Sequence, residues 1–360
     1  MARAHIFNAG PAILPVEVLE ATAQAAVDYQ GLGISVMEMS HRSKEFDAII
    51  KEAQADCLKI MGLSADEYTV LFLGGGASTQ FLMLPFNFLK KKADYVNTGE
   101  WSKKAIKEAK AMGEVNVAAS SEDQNFNYLP SEFNWSDDAD YVHVTTNNTI
   151  FGTEYKTTPD VKAPLVADMS SNMFSRQYDW AKYDMIYAGA QKNIGPSGVT
   201  LVVIKNEWLE KAQRDKIPTM LNYKTHTSKE SLFNTPPCLP IYVVGQTFKW
   251  IIKQGGLEAI EAMNLKKGNL IYDMIDKHPD FFTGSVVNKE DRSYMNITFN
   301  LPNEELEKKF ISEAKEKHNM LGLKGHRSVG GIRASVYNAC PLESCQALAD
   351  FMEEFYNNNK

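Results

Sequence analysis

The stretch YAGAQKNIGPSG, residues 187–198, contains one lysine, Lys192, among alanine, glycine, glutamine, asparagine and serine residues. An apolar run precedes the lysine at 183–187 and another follows it at 199–204, which predicts a small-residue loop between two buried strands. Desolvation in such a loop would lower the pKa of the lysine amine and make the amine nucleophilic. The stretch therefore indicates a lysine that meets a ligand, with an ordinary surface loop as the alternative.

Short apolar runs alternate with amphipathic helical patterns on both sides of this loop. We predict strands at 68–73, 93–97, 141–146, 163–170, 183–189 and 199–205. We predict helices in STQFLMLPFNFLKK and WSKKAIKEAKAMG, which follow the first two strands. Continuous apolar strands interleaved with helices are typical of a mainly parallel sheet covered on both faces. The sequence therefore predicts an α/β fold whose functional residues gather at the carboxyl ends of the strands.

The pattern changes from about Ile241, where a long helical region begins that is interrupted at Gly255–Gly256. Beyond it we predict a strand, a helix, a strand and a final helix in SYMNITFNL, EELEKKFISEAKEK, GGIRASVY and ESCQALADFMEEFYN. We therefore predict a large domain at 16–260 and a small α/β domain at 261–360, which is completed by residues 1–15.

The composition argues against several classes of protein. The 360 residues are 44% hydrophobic and 23% charged, which is ordinary for a soluble globular protein. The net charge of −7 argues against a nucleic-acid partner. The sequence has no secretory h-region and no apolar run of about 18 residues, so we expect a cytoplasmic protein without a membrane span. The cysteines, Cys57, Cys238, Cys340 and Cys345, follow neither metal nor disulfide spacing, and we expect no metal site.

The segment LGGGASTQ, residues 73–80, follows the first predicted strand and opens the first predicted helix. Its glycines let backbone amides approach an anion, and the helix N-terminus adds free N–H groups and a positive dipole end. A tight strand-to-helix turn is the alternative. The segment is not a Walker loop, because no Gly-Lys-Ser/Thr follows at the required spacing.

Two further side chains lie at or after the ends of predicted strands. Asp168 lies near the end of the run APLVADMS, and Trp101 follows the strand at 93–97. Taken singly, the aspartate would be a helix cap and the tryptophan a core residue. Together with the glycine-rich segment and Lys192, they supply what pyridoxal phosphate requires. These requirements are an amine for covalent attachment, an acid for the pyridine nitrogen, an anion cradle for the phosphate and an aromatic ring for the pyridine face.

The dipeptide His-Arg occurs twice, at His41–Arg42 and His326–Arg327. An arginine presents a planar fork of donors to phosphate or carboxylate oxygens, and an imidazole adds another donor. A solvated surface is the alternative for either pair alone, but two pairs in an acidic protein fit a doubly anionic substrate. Arg333 lies in GGIRASVY, where strand alternation would bury one face, so we expect it to pair with a carboxylate.

Several longer motifs carry a resemblance to a known family. FNAGPAILP, MSHRSKEF, TGEWSKKA, NNTIFGTEY, VADMSS, AGAQKNIGPSG, SLFNTPP and KGHRSVGGIRASVYNA are distributed along nearly the whole chain. In combination they are highly specific, and the sequence resembles the phosphoserine aminotransferases, which are class V, fold-type I enzymes that depend on pyridoxal phosphate. The chain departs from some relatives in one respect: its cradle reads GGGAS where they carry an arginine. This leaves open how many charges the cradle presents to the cofactor.

The resemblance implies a role for each matching residue. Lys192 would carry the cofactor and act as the catalytic base, Asp168 would bind the pyridine nitrogen, and Trp101 would stack on the ring. Further cofactor contacts would come from Gly76, Ala77, Ser78, Thr149, Gln191 and, across a subunit interface, Asn234 and Thr235. Arg333 would bind the substrate α-carboxylate. The substrate phosphate would be surrounded by His326, Arg327, His41 and Arg42, the last two of which could come from the partner subunit.

The implied reaction is reversible transfer of the amino group of L-glutamate to 3-phosphohydroxypyruvate, which gives O-phospho-L-serine and 2-oxoglutarate. The family also accepts 4-phosphohydroxy-threonine, a substrate of vitamin B6 synthesis, and the implied active unit is a homodimer with shared sites.

Three alternatives are an alanine–glyoxylate-type aminotransferase, a cysteine desulfurase and a nucleotide-binding protein. The two His-Arg pairs argue against the first. The poor position of Cys340, before a proline, argues against the second. The missing Walker lysine and acidic ribose-binding signature argue against the third.

Overall fold

The computed structural model describes residues 3–212 and 217–360. The strands, in chain order, are β1 (His5–Ile6), β2 (Tyr68–Leu73), β3 (Lys92–Asn97), β4 (Glu114–Ser120), β5 (Val142–Thr145), β6 (Leu165–Asp168), β7 (Met185–Gly189), β8 (Thr200–Lys205), β9 (Thr283–Gly284), β10 (Asn296–Asn300), β11 (Met320–Leu321) and β12 (Ile332–Ser335). The helices are α1 (Val16–Val27), α2 (Lys44–Met61), α3 (Gly76–Phe88), α4 (Glu100–Lys110), α5 (Asn206–Leu209), α6 (Tyr223–Thr227), α7 (Cys238–Lys253), α8 (Gly256–Lys277), α9 (Glu304–His318) and α10 (Leu342–Asn359).

The large sheet has seven strands in the order β2-β8-β7-β6-β5-β3-β4. Every strand except β8 runs in the same direction, and β8 is antiparallel to both of its neighbours. The chain between β7 and β8 is too short for the crossover that a parallel neighbour needs, so it returns as an antiparallel strand. Strands β5, β6 and β7 are buried throughout, which confirms the predicted mainly parallel α/β sheet covered on both faces.

The six strands predicted around the lysine loop are all present, with ends that differ by at most two residues. The predicted break in the long helical region is also confirmed, because α7 ends at Lys253 and α8 begins at Gly256. The sequence patterns did not predict β4, which lies at the edge of the sheet and whose residues are all exposed or half-buried except the buried Ala118. An edge strand lacks the continuous apolar run that made the central strands recognisable.

The C-terminal part of the chain has its own apolar core. In it β12, β10 and β9 form a three-stranded antiparallel sheet, and Phe7 and Ile13 from the N-terminus join a cluster otherwise made of residues from Ile271 onward. The predicted border after residue 260 falls inside α8, whose Leu257 and Ile260 belong to the core of the large sheet. The division into 16–260 and 261–360 with 1–15 stays a prediction.

Across the ranges 3–212 and 217–360, no helix combines the length and apolar character that a membrane span requires. Within the same ranges, no group of three or more histidine, cysteine, aspartate or glutamate side chains is arranged to hold a metal ion.

Candidate active site

Five of the segments singled out in the sequence lie at or after the carboxyl ends of strands that share one direction. The segments after β2, β3, β5 and β7 carry the glycine-rich cradle, Trp101, Thr149 and Lys192, respectively, and Asp168 is the last residue of β6. Because the ends of parallel strands lie at one edge of a sheet, this topology brings residues that are distant in sequence to a common site.

Lys192 lies at the centre of this edge in a half-buried position. Its Nζ donates a hydrogen bond of 2.6 Å to Thr149 Oγ1 and lies 5.7 Å from the centroid of the Trp101 ring. Burial lowers the pKa of the Lys192 amine to about 8; the Asp168 carboxylate opposes the shift and the Arg333 guanidinium adds to it. A large fraction of the amine is therefore neutral and nucleophilic near pH 8.

Asp168 ends β6 and is 4% exposed. Its Oδ1 accepts hydrogen bonds from the backbone N–H of Ser170 at 2.9 Å and from the Ser170 hydroxyl at 2.6 Å. Burial raises the pKa of the Asp168 carboxyl, and the two bonds from Ser170 and the charge of Lys192 oppose that rise. In the described part of the chain no cationic group forms an ion pair with this carboxylate. An unpaired buried carboxylate is costly, and a protonated ring nitrogen would supply the missing partner.

Ser170 is a residue of the site that sequence reasoning missed. Its hydroxyl also accepts a hydrogen bond of 3.1 Å from the backbone N–H of Gly189, the last residue of β7. Ser170 therefore ties the end of the Asp168 strand to the start of the Lys192 loop. The available signal was a serine two residues after an aspartate at a strand end, a spacing at which aspartate often accepts a local backbone bond.

The predicted anion cradle is the first turn of α3, which contains Gly76, Ala77 and Ser78. Gly75 precedes the helix with φ of 89° and no side-chain cap, so the first backbone N–H groups have no intrahelical partner and can bind an anion. A Cβ built at Gly75 would lie 1.9 Å from Thr79 Oγ1, which together with the positive φ restricts this position to glycine.

Thr149 links the lysine to the predicted carboxylate-binding arginine. Its hydroxyl accepts the bond from Lys192, and its carbonyl oxygen accepts a hydrogen bond of 3.0 Å from Arg333 Nη1. The turn is shaped by Asn148, whose Oδ1 accepts bonds from the backbone N–H groups of Ile150 and Phe151 at 3.1 and 3.3 Å. The predicted cofactor lysine and the predicted carboxylate-binding arginine therefore both bond to one residue, although Lys192 and Arg333 lie far apart in the sequence.

The indole Nε1 of Trp101 and the Nε of Arg333 are buried without a hydrogen-bond partner in the described part of the chain. Buried donors are normally satisfied, so both groups are available to a ligand. Together with the unpaired Asp168, the Lys192 amine and the cradle, they fit pyridoxal phosphate and a carboxylate-bearing substrate.

The two His-Arg pairs lie in different surroundings. His326 lines a cavity of about 180 Å³ together with Arg333, its Nδ1 lies 2.7 Å from Ser328 Oγ, and Arg327 is exposed beside it. Burial first, and then the charges of Arg333 and Arg327, lower the pKa of His326. His41 and Arg42 precede Ser43, the N-cap of α2, and His41 Nε2 is buried without a partner among the described residues. Within the described chain no hydrogen bond or ion pair joins one pair to the other.

The remaining predicted cofactor contacts are Gln191, Asn234 and Thr235. The carbonyl of Gln191 accepts a hydrogen bond of 2.8 Å from the backbone N–H of Ala12. Asn234 and Thr235 are exposed, and Asn234 lines a cavity of about 270 Å³ with Gly75. Their predicted reach into a neighbouring subunit stays a prediction.

Residues 4–348 match the aminotransferase class-V family, which is the class of enzyme that this fold and lysine site define. The chain is 54% identical over 353 residues to the phosphoserine aminotransferase of Phocaeicola vulgatus, with 98% of each chain covered. It matches the solved phosphoserine aminotransferase from Bacillus circulans subsp. alkalophilus with a TM-score of 0.96 and 51% identity over 99% of each chain. A pyridoxal-phosphate-bound phosphoserine aminotransferase from Trichomonas vaginalis matches with a TM-score of 0.92 and 38% identity, over 98% of this chain and 100% of that one. The chain therefore belongs to the phosphoserine aminotransferase family.

The surroundings of Lys192 predict the pH dependence of cofactor attachment. The rate at which the apoprotein binds pyridoxal phosphate covalently should rise with pH around a midpoint near 8, because only the neutral amine attacks and its pKa is about 8. Asp168→Asn removes a charge that raises this pKa, so its midpoint should fall below that of the wild type. Arg333→Ala removes a charge that lowers it, so its midpoint should rise. Stopped-flow absorbance measures all three, and a midpoint near that of a free lysine would contradict the burial of the amine.

Proposed function

We propose that this chain is a pyridoxal-phosphate-dependent aminotransferase that moves the amino group of L-glutamate to 3-phosphohydroxypyruvate and forms O-phospho-L-serine and 2-oxoglutarate. One observation carries the proposal. Thr149 joins an amine of lowered pKa to a half-buried arginine, near a buried carboxylate that has no cationic partner among the described residues. The family of the chain supports the same reaction.

The residues present would hold the cofactor from several sides. Lys192 would attach it covalently, the first turn of α3 would donate backbone N–H groups to its phosphate, and Trp101 would cover its ring. Asp168 would keep a proton at the ring nitrogen. Pyridoxal phosphate, when bound, supplies an electron-accepting pyridine ring to the amino group of the substrate.

The protein's own part in the reaction is binding and proton transfer. Arg333 would bind the α-carboxylate through the planar donor fork that matches two carboxylate oxygens. Lys192 would take the proton from the substrate Cα and return it on the cofactor side. An amine with a pKa of about 8 can both accept and release a proton near neutral pH. The Thr149 hydroxyl would hold that amine between the two positions.

Specificity for a phosphorylated substrate would come from the His-Arg pairs. His326 lines a cavity with Arg333, and Arg327 is exposed next to His326. We propose that His41 and Arg42 reach the site from the partner subunit of a homodimer. Asn234 and Thr235 would contact the partner's cofactor in the same way. The same pocket would accept 4-phosphohydroxy-threonine, and we expect the enzyme to act in the cytoplasm.

The test of this function is a half-reaction measured with a panel of amino acids. O-phosphoserine and L-glutamate should change the absorbance of the bound cofactor rapidly, whereas serine and alanine should react slowly because neither can occupy an anion pocket. Equal rates for serine and O-phosphoserine would overturn the proposed substrate while leaving the cofactor assignment intact.

The division of labour between the arginines gives a second prediction. Arg327→Ala should lower kcat/KM for O-phosphoserine by roughly 30- to 1,000-fold, which corresponds to one charge-assisted contact of about 2–4 kcal/mol. The loss with L-glutamate should be smaller, because its side chain carries a single charge. Arg333→Ala should damage both half-reactions alike, and Lys324→Ala, exposed on the same loop, should damage neither. Equal losses with both amino acids in Arg327→Ala would refute the division.

The shared site gives a third prediction, which subunit exchange can test. Lys192→Ala and Arg42→Ala homodimers should each be inactive with O-phosphoserine. A mixture should recover activity, because one site of each mixed dimer would combine an intact lysine with an intact partner arginine. No recovery despite proven exchange would show that Arg42 acts within its own subunit.

A further inference from the structure

Lys267 is a cationic residue that the proposed reaction does not use. It lies in α8 and is 0% exposed. Its Nζ donates hydrogen bonds to the backbone carbonyls of Val336, Tyr337 and Asn338 at 3.1, 2.7 and 3.3 Å. Within the described chain, no carboxylate forms an ion pair with this amine. A buried cation that faces three backbone carbonyls is uncommon enough to require a reason.

The number of acceptors bears on the charge of the amine. A neutral lysine amine has two N–H groups, whereas an ammonium has three. Three carbonyl partners favour the charged form and oppose burial, which lowers the pKa of the Lys267 amine; among the described residues this charge has no counter-ion, so its burial costs free energy. No apolar side chain could satisfy the same three oxygens, and a glutamine would offer only two donors.

The carbonyls of Val336 and Asn338 need an external donor because the chain leaves the sheet at that point, whereas the Tyr337 carbonyl also accepts a hydrogen bond of 2.8 Å from the backbone N–H of Cys340. β12 ends at Ser335 and lies at the edge of the three-stranded sheet, so no further strand supplies N–H groups to residues 336–338. Buried backbone carbonyls are almost always paired, and Lys267 pairs all three from one position on the neighbouring helix.

The segment held by Lys267 is bonded directly to the lysine loop. The backbone N–H of Asn338 donates to Asn193 Oδ1 at 2.9 Å, and Asn193, which is 4% exposed, directly follows Lys192. The side chain of Asn338 donates to the Phe174 carbonyl at 2.9 Å and accepts from Asn264 at 2.8 Å. Asn338 is therefore held on both sides, by α8 and by the loop that follows β6.

The same segment also continues the strand that carries Arg333. Arg333 precedes Val336 by three residues, and β12 is bonded to β10 along its whole length. A shift of residues 336–338 would therefore move the lysine loop and the arginine strand relative to each other.

We propose that Lys267 is a positioning residue: its ammonium fixes residues 336–338, so that Asn338 holds Asn193 and keeps Lys192 in register with Arg333. The expected effect on turnover rests on the proposed function, whereas the expected effect on attachment of the cofactor to Lys192 does not.

The test compares Lys267→Met, which keeps the length of the side chain but removes the donors, with Lys266→Met, an exposed neighbour on the same helix. Lys267→Met should lower kcat by about 10- to 100-fold, as expected of a small misplacement of reacting groups. It should also slow covalent attachment of pyridoxal phosphate to the apoprotein and shift its pH midpoint. Lys266→Met should change neither. A Lys267→Met protein that is less stable but keeps wild-type kcat and attachment kinetics would reduce Lys267 to a stabilising residue and overturn the proposal.

A double-mutant cycle with Asn193→Ala tests the path itself. If Lys267 acts through Asn338 and Asn193, the double variant should lose no more kcat and no more attachment rate than the worse single variant. If the fold losses of the two single variants multiply in the double variant, the two residues act independently and the proposed path is contradicted.

If Lys267→Met yields no folded protein, Lys267→Gln, which keeps two donors, takes its place in the same cycle with the same outcomes. Normal attachment kinetics in Asn193→Ala would also overturn the proposal. Attachment needs no substrate, so an enzyme that fails only with O-phosphoserine would count against the proposed function and not against this inference.

Discussion

Lys192→Ala is expected to lower turnover by about 10⁴-fold or more, because the variant loses the group that attaches the cofactor and the group that moves the Cα proton. The lowered pKa of Lys192, about 8, and its bond to Thr149 at 2.6 Å single it out among the lysines of the site. The fold should be unchanged, since the side chain is half-buried in a loop and its hydrogen bond to Thr149 joins two turns and no two strands.

Two measurements check this expectation. Steady-state turnover gives the loss in rate, and borohydride reduction followed by mass spectrometry identifies the lysine that carries the cofactor. The control is Lys104→Ala, because Lys104 Nζ lies 4.4 Å from the centroid of the Trp101 ring, closer than Lys192 Nζ at 5.7 Å. Lys104→Ala should keep the modified peptide that contains Lys192. Cofactor trapped on the Lys192→Ala protein at wild-type yield would refute the assignment.

The strand ends of the site could be predicted from the sequence because each is a local signal. Lys192, Asp168 and the GGGAS segment each follow a continuous apolar run, and a mainly parallel sheet places the ends of such runs together. An apolar run marks a strand end without any knowledge of which strands are neighbours in the sheet. It therefore located the lysine, the acid and the cradle without giving any distance between them.

The connections between these groups could not be predicted, because they depend on pairs far apart in the chain. The carbonyl of Thr149 accepts from Arg333 across 184 residues, and Lys267 satisfies carbonyls about 70 residues away. Nothing in the local sequence around Lys267 distinguishes it from its exposed neighbour Lys266. Burial of a charged side chain is decided by tertiary packing, which a helical pattern alone does not specify.

The His-Arg pairs show a second kind of limit. The sequence predicted both pairs as anion-binding groups, and the fold places His326 in one cavity with Arg333 while Arg327 is exposed next to His326. Within the described chain, no direct bond connects His41 or Arg42 with them. Their proposed role requires a second subunit, whose geometry a single chain does not contain.

The charges around Lys192 act in opposite directions. Asp168 raises the pKa of the amine and Arg333 lowers it, while burial sets the overall fall to about 8. A substrate carboxylate bound to Arg333 would cancel part of the positive charge of the guanidinium, and the pKa of the Lys192 amine would rise. Substrate binding would therefore prepare Lys192 to accept a proton at the stage at which the reaction needs a base.

Asp168→Asn is expected to keep the fold and covalent attachment of the cofactor but to lower kcat by about 10²- to 10³-fold, a typical loss when a preorganised charge at the reacting centre is removed. An amide oxygen can still accept the two bonds from Ser170, so the turn after β6 should survive. The amide nitrogen, however, is a donor and cannot stabilise a proton at the ring nitrogen. The ring would then accept electrons from the substrate poorly, although the substrate still binds to Arg333.

The pH profile distinguishes this role from a merely structural one. Burial raises the pKa of the Asp168 carboxyl, and the bonds from Ser170 lower it again. Turnover should therefore fall on the acid side as Asp168 becomes protonated. Ser170→Ala removes a bond that favours the ionised carboxylate, so it should move this acid limb to higher pH while leaving the plateau rate within a few-fold of the wild type. In Asp168→Asn the acid limb should disappear along with most of the rate. A variant with near-normal kcat, or one that keeps the limb unchanged, would show that another group holds the ring proton and would remove Asp168 from the mechanism.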